Sequence, residues 1–240
     1  MGTLFSRLTL LAGFIAAALI VGAAPLYRFA GFALGDAFAL MTWGTYAAAG
    51  TLALAVLWVI FAAIGRSGAG LMLVVVGVVL AVGAGQGPIR MKMTADSLPF
   101  IHDITTDTAS PPAFVALAPV RASAPNGVDY ATDPAEQLKG YPDIKTFTSP
   151  KSSAELFEKA LAVAKTMKWE IVSSSSDEGR IEATDTTAWW GFKDDVVIRV
   201  VAEGNGSKLD IRSMSRVGKS DLGKNAERIR AFLKALAEMG

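Results

Sequence analysis

The sequence predicts a membrane anchor of three transmembrane helices followed by one α+β domain: helix, four-stranded antiparallel sheet, helix, preceded by a Pro-rich irregular wrap. Three observations predict it. Residues 1–92 contain three long apolar runs free of charge. Residues 93–150 hold eight of the ten prolines without a sustained helical or strand period. Residues 151–240 alternate between helical and strand patterns, with a hairpin signal near the middle.

The anchor rests on length and apolarity. A hydrocarbon core of about 30 Å needs roughly 20 apolar residues in helix, the conformation that satisfies its own backbone there. Leu8–Leu26, Thr42–Ile64 and Ala69–Gly87 supply such runs, with Trp43 and Trp58 as interfacial aromatics. A cleavable leader is the competing reading of the first run, given Arg7 and Gly22-Ala23-Ala24, but Pro25 directly after that site argues against cleavage. Gly13, Ala17 and Gly22 are small enough to let helices approach closely. No Asp, Glu, Lys, Arg or His lies inside the runs, whereas proton relays and ion paths are marked by such residues. The spans therefore read as an anchor, with the lipid bilayer as their partner. With the N-terminus inside, Arg7 and Arg66 fall inside and Arg28, Arg90 and Lys92 outside, so loop charge alone sets no orientation.

Charge separates the halves. Residues 1–92 carry five bases against one acid, Asp36; residues 93–240 hold 18 of the 23 bases and 21 of the 22 acids, a formal charge of −3. Nucleic-acid binding requires clustered positive charge to displace counterions, so no nucleic-acid partner is expected. The chain has no cysteine, which removes disulfides, thiol catalysis, cysteine–zinc sites and iron–sulfur clusters. It also suits an oxidising compartment such as the periplasm.

In 93–150 the apolar residues Ile101, Ile104, Phe114, Val115, Tyr130, Tyr141, Ile144 and Phe147 point to an ordered wrap laid on the folded part. Ser152-Ser153-Ala154-Glu155 is a capping box opening a helix whose stripe is Phe157, Ala160, Leu161, Ala164 and Met167. Strands are expected at Trp169–Val172, Arg180–Thr187, Asp195–Ala202 and Lys208–Ser215. Ser220 or Asp221 caps a last helix with the stripe Leu222, Ala226, Ile229, Leu233 and Leu236.

Pairing about Asn205-Gly206 generates the candidate site. If those two residues form the hairpin loop, Ala202 faces Leu209, Val200 faces Ile211 and Ile198 faces Ser213 on the core side. On the other side Val201 faces Asp210, Arg199 faces Arg212 and Asp195 faces Arg216. Opposed guanidiniums keep their protons and require a negative group between them. Glu182, Asp103 or Asp107 of the wrap, or an anionic ligand, can supply it. Two readings stay open: an internal salt-bridge network pinning the wrap, or a site for a small anion or a partner's carboxylate.

His102 is the sole histidine, so a Ser–His–Asp hydrolase would have to use it with Asp103, yet no Gly-x-Ser-x-Gly elbow accompanies it. His102, Asp103 and Asp107, with Asp194 and Asp195, are the residue types for a hard cation. No twelve-residue calcium loop is present, and Asp in turns commonly bonds its own backbone, so neither a metal nor a cofactor is expected.

The soluble half resembles the domain-of-unknown-function family numbered 1499, a bacterial and plastid group, over about residues 97–237. The residues that carry the resemblance are Ile101-His102-Asp103-Ile104-Thr105-Thr106-Asp107, Pro111-Pro112-Ala113-Phe114, Tyr141-Pro142-Asp143-Ile144 and Arg180-Ile181-Glu182-Ala183-Thr184. They continue through Gly191-Phe192-Lys193-Asp194-Asp195, Arg212-Ser213-Met214-Ser215-Arg216-Val217-Gly218 and Ser220-Asp221-Leu222-Gly223-Lys224-Asn225-Ala226. The resemblance implies no established activity. Its secreted and thylakoid-lumen relatives imply a soluble domain on the periplasmic side of an inner (cytoplasmic) membrane. The expected function is a membrane-anchored, non-catalytic module that binds a ligand or a membrane or periplasmic partner. A hydrolase using His102 and Asp103, and a membrane-complex assembly factor, are the alternatives.

Overall fold

Three helices, each of 27 residues or more, open the chain: α1 (Gly2–Ala30), α2 (Leu34–Ile64) and α3 (Leu71–Ser97). The computed structural model describes residues 2–239. At about 1.5 Å of rise per residue, each helix exceeds a 30 Å hydrocarbon core and is long and apolar enough to cross a membrane. All three extend past the apolar runs that predict them. Pro25 and Pro88 lie inside helices, and α3 carries the polar stretch Arg90–Ser97. The chain divides into two compact units, Met1–Thr94 and Ala95–Gly240.

In the first unit small residues set the helix spacing. A Cβ on Gly13 would collide with the backbone of Gly77, and one on Gly77 would lie 2.5 Å from the Thr9 carbonyl oxygen. One on Gly44 would meet Ile20 Cγ1 at 2.6 Å. Ala16, Ala48 and Ala81, one from each helix, fill the centre. Gly22, expected to mediate close approach, instead faces open space. Buried hydroxyls on these helices are satisfied within their own helix: Thr9 and Thr51 donate to the Phe5 and Ala47 carbonyls at 2.8 Å.

The second unit contains β1 (Asp103–Thr105), α4 (Ala118–Ala122), α5 (Pro134–Gly140), β2 (Phe147–Ser149), α6 (Ser153–Thr166), β3 (Glu170–Ser175), β4 (Arg180–Thr186), β5 (Lys193–Glu203), β6 (Gly206–Ser215) and α7 (Lys224–Glu238). The sheet is antiparallel with order β1-β6-β5-β4-β3, and β2 joins the same edge of β6 as β1. It therefore has six strands, not the expected four. The extra pair comes from the segment read as irregular, which also forms α4 and α5. Each added strand has three residues, too few for a period of two to register.

One face of the sheet carries Ile181, Ala183, Val196, Ile198, Val200, Leu209 and Ile211. Leu156, Phe157, Ala160, Val163 and Ala164 of α6 and Ala226, Ile229, Phe232 and Leu236 of α7 bury against it. Both stripes are wider than expected: Leu156, Val163 and Phe232 are buried members that the expected stripes lacked, while Leu161, Met167 and Leu233 pack against the core partly buried. The capping box forms, with Ser152 Oγ accepting from Glu155 N and the Glu155 carboxylate accepting from Ser152 N. Asp221 serves the start of α7, accepting from Gly223 N (2.9 Å) and Asn225 N (2.6 Å).

The hairpin register differs from expectation. Glu203 pairs with Gly206, so Gly204-Asn205 is the loop, with Gly204 at φ +56°. A positive φ at the first loop residue, without one at Asn205, is the pattern of a type II′ turn, and glycine supplies it without a Cβ penalty. Every partner shifts by two residues. Val200 faces Leu209, Ile198 faces Ile211, and Arg199 faces Asp210. Because side chains alternate with a period of two, this slip exchanges neighbours while leaving each residue on its expected face.

Gly13→Leu should lower the thermal stability of the helix unit in detergent, because the added side chain meets backbone. Gly22→Leu should leave it unchanged. Melting curves of the two variants that coincide would contradict this packing.

Candidate functional site

The second face of the sheet presents three cross-strand rows. Arg180, Arg199 and Asp210 form one; Glu182, Val197, Arg212 and Thr105 the next; Thr184, Asp195, Met214 and Asp103 the third. Two guanidiniums do oppose one another, but they belong to Arg180 and Arg199, not to Arg199 and Arg212. Likewise Asp195 faces Met214 and not Arg216. Residues 106–130 lie across these rows, with Phe114 and Leu117 packed on Val197 and Met214.

Each charge in the layer has an opposite charge. Asp103 binds Arg212 with both oxygens, Nε at 2.9 Å and Nη2 at 2.8 Å, and the pair is 0% and 3% exposed. The remaining Arg212 donors reach the Pro112 and Val128 carbonyls. Asp195 accepts from Arg216 Nε and Nη2, Thr184 Oγ1 and Arg121 Nη1, all within 2.9 Å. Arg121, from α4, is wholly buried, and its Nε donates to the Gly127 carbonyl. The Phe114 ring lies against both Arg121 and Arg212, with guanidinium carbons 4.8 and 4.9 Å from its centroid.

Glu182 binds main chain: its carboxylate accepts from the amides of Val115, Ala116 and Leu117 at 2.8–2.9 Å. Arg180 Nε lies 3.2 Å from the same carboxylate, close enough for charge attraction but without a hydrogen bond from that N–H. Arg199 Nη2 donates to Asp107 at 3.0 Å and Asp210 at 2.9 Å. Asp210 also accepts from Thr106 and Thr146. Arg121, Arg180, Arg199, Arg212 and Arg216 thus balance Asp103, Asp107, Glu182, Asp195 and Asp210.

The titration of this layer follows from burial against pairing. Burial alone would raise the Asp195 carboxyl, but hydrogen bonds from Arg216 and Thr184 and the charges of Arg216 and Arg121 hold it below the usual carboxylate range. Arg121 moves the other way: burial lowers its guanidinium despite Asp195, its nearest carboxylate. The asymmetry is physical, since Asp195 draws on two arginines and a hydroxyl. Burial, then the Asp103 charge, pushes the Tyr130 phenol well above its ordinary value.

Of the nine expected site residues, Asp103, Asp107, Glu182, Asp195, Arg199, Arg212 and Arg216 meet in this layer. Asp194 lies on the helix side, 2.7 Å from Arg228 of α7, which also binds Asp185. Asn225 completes that second cluster, accepting from Ser213 and Arg228 and donating to the His102 carbonyl. His102 stands apart from the layer. Its Nδ1 is 3.3 Å from the Lys219 carbonyl, and its buried Nε2 has no hydrogen-bond partner. Among the described residues no group of three His, Asp or Glu converges as a metal site would require.

Sequence reasoning missed Arg121 and Arg228. Arg121 lies two residues after Pro119 in a segment without period, so nothing signalled its burial. Arg228 sits one residue from Ile229 on α7, a position that reads as the stripe's edge.

The fold and this layer define a class: a two-sided α+β domain, apolar on the helix side and charge-paired beneath a crossing segment, carried by a chain with three apolar helices. The chain belongs to the DUF1499 family of proteins of unknown function, whose family model matches residues 103–236. A search of curated proteins finds no match.

Two outcomes test the layer. Arg212→Met strands Asp103 without its fork and should cost about 3–5 kcal/mol, lowering the melting temperature by roughly 6–20 °C and opening residues 98–150 to protease. A change below about 1 kcal/mol, as for an exposed pair, would contradict it. The second outcome is a pH dependence. The Asp195 carboxyl is lower in the folded state, so its stabilisation is present above the unfolded value, about 4, and fades as pH falls through the folded value. Asp195→Asn should therefore be less stable at neutral pH and lose stability less steeply below about pH 4. Acid limbs that run parallel in the two proteins would contradict this assignment.

Proposed function

We propose that this protein is a non-catalytic, membrane-anchored module that holds its soluble domain in the periplasm and presents that domain's outer surface to a partner. The observation that carries the reading is the closure of the charged layer. Its arginines and carboxylates are paired with one another and covered by residues 106–130, so they act on the fold and not on a substrate. A small anion could reach Arg121 or Arg212 only by displacing an aspartate from its guanidinium.

The hydrolase reading has less support. His102 Nδ1 faces a main-chain carbonyl and not a hydroxyl or carboxylate, whereas general-base chemistry needs hydrogen-bond reach to the proton it abstracts. The periplasmic side is supported by the absence of cysteine and by the secreted relatives that the family resemblance implies.

A C-terminal alkaline phosphatase fusion should be active in cells and a C-terminal fluorescent-protein fusion dark. The reverse pattern would overturn the orientation. His102→Gln should leave any biological readout of the intact protein unchanged; loss of a measured turnover at unchanged melting temperature would favour the enzyme instead.

A further inference from the structure

The chain enters the sheet at one end, and that end has an unusual surface. Asp103 pairs with Met214, and the preceding His102 carbonyl accepts from Ser215 N. Asp194 pairs with Ser215, Lys193 with Thr186, and the Lys193 carbonyl accepts from Arg216 N. The β4–β5 loop, 187–192, therefore projects from the same end at which residues 98–102 arrive from α3. The loop is Thr187-Ala188-Trp189-Trp190-Gly191-Phe192.

This loop is rigid and aromatic. Thr187 N donates to the Phe192 carbonyl, Phe192 N to Thr187 Oγ1, and Gly191 N to the Thr187 carbonyl, at 2.9–3.0 Å. Gly191, at φ +69°, makes the return, and Trp190 stacks on Phe192 with ring centroids 5.4 Å apart. Trp189 is left projecting, 54% exposed. Phe100, in the entering segment, is 63% exposed. The exposed lysines on this end's loops and strand termini are Lys168, Lys193 and Lys219; Glu170 is an exposed acid at the start of β3, and Asp96 is another, four residues before Phe100. The opposite end differs in both respects. Its β3–β4 and β5–β6 turns carry Asp177, Glu178 and Glu203, and among the described residues none of their side chains is a large exposed apolar one.

We propose that this end of the soluble domain is a docking surface for an anionic bilayer, with Trp189 and Phe100 seated in the headgroup region and Lys168, Lys193 and Lys219 facing lipid phosphates. Tryptophan favours the membrane–water interface because its ring is apolar and its N–H remains solvated, and basic side chains beside it are drawn to anionic lipid. A loop already closed by its own hydrogen bonds loses little conformational entropy on insertion. Chain length permits the contact: α3 runs about 15 Å past its apolar run, and the five residues 98–102, which can span about 18 Å, suffice to return over that length. The inference rests on the membrane-anchor reading above and adds a second, reversible contact between domain and lipid.

The test uses the full-length protein in vesicles of phosphatidylcholine, alone or with about 30% phosphatidylglycerol to supply anionic surface. Because the chain lacks cysteine, Ala188→Cys and Asn205→Cys each provide a unique attachment point for an environment-sensitive fluorophore. With phosphatidylglycerol, the probe at 188 should be quenched by headgroup-labelled lipids and shielded from iodide, and the probe at 205 should not. Trp189→Ser or Lys193→Glu in the 188-labelled protein should abolish that quenching. Equal iodide access at 188 and 205 in both bilayers would overturn the proposal. So would shielding at 188 that appears in native membranes but not in lipid vesicles, which would assign the surface to a protein partner. Carbonate extraction separates the two readings: release of the chain refutes the anchor, whereas a retained chain with an iodide-accessible 188 refutes only the docking.

Discussion

Asp103 and Arg212 meet with both oxygens and two guanidinium nitrogens, out of reach of solvent, and the crossing of residues 106–130 over the sheet follows in part from that contact. Desolvating each ion costs several kcal/mol, which is offset only when every donor and acceptor is used. Apart from Arg180 Nε, which has no hydrogen-bond partner, the layer meets that demand through forks at Asp103 and Asp195 and through three amides at Glu182. Such a layer contributes little net stability compared with well-packed apolar side chains, but it admits few alternative arrangements. That selectivity fixes a crossing segment that has little regular structure of its own.

The same constraint explains which parts of the fold could be read from sequence. The three N-terminal helices are legible from unbroken apolarity, and the two long helices and the central strands of the second unit from periods that local chemistry enforces. Which face each strand residue occupies is legible too, because a two-residue slip preserves it. The slip itself was not, since Gly204-Asn205 and Asn205-Gly206 are both good hairpin loops and the apolar pattern accepts either. The two differ in charge: with the observed pairing, Asp210 stands opposite Arg199, whereas the alternative puts Arg212 there.

The need for negative charge at the arginine face was also legible, and Asp103 and Asp107 supply part of it. Arg121 was not legible, because its burial arises from tertiary contacts made by a five-residue helix. The first unit shows a similar division. Apolarity gives its three long helices, but which glycine meets a neighbouring backbone, Gly13 and not Gly22, depends on the rotation of each helix against its neighbours.

The central claim is that Glu182 and its neighbouring ions hold residues 106–130 as firmly as the sheet itself. Hydrogen exchange of the Val115, Ala116 and Leu117 amides tests it most directly, since each donates to Glu182 and none belongs to a helix or strand ladder. The account predicts protection close to that of the β5 and β6 amides, lost together with them on global unfolding. Exchange of these three amides at the rate of an open loop, while β5 and β6 remain protected, would contradict it.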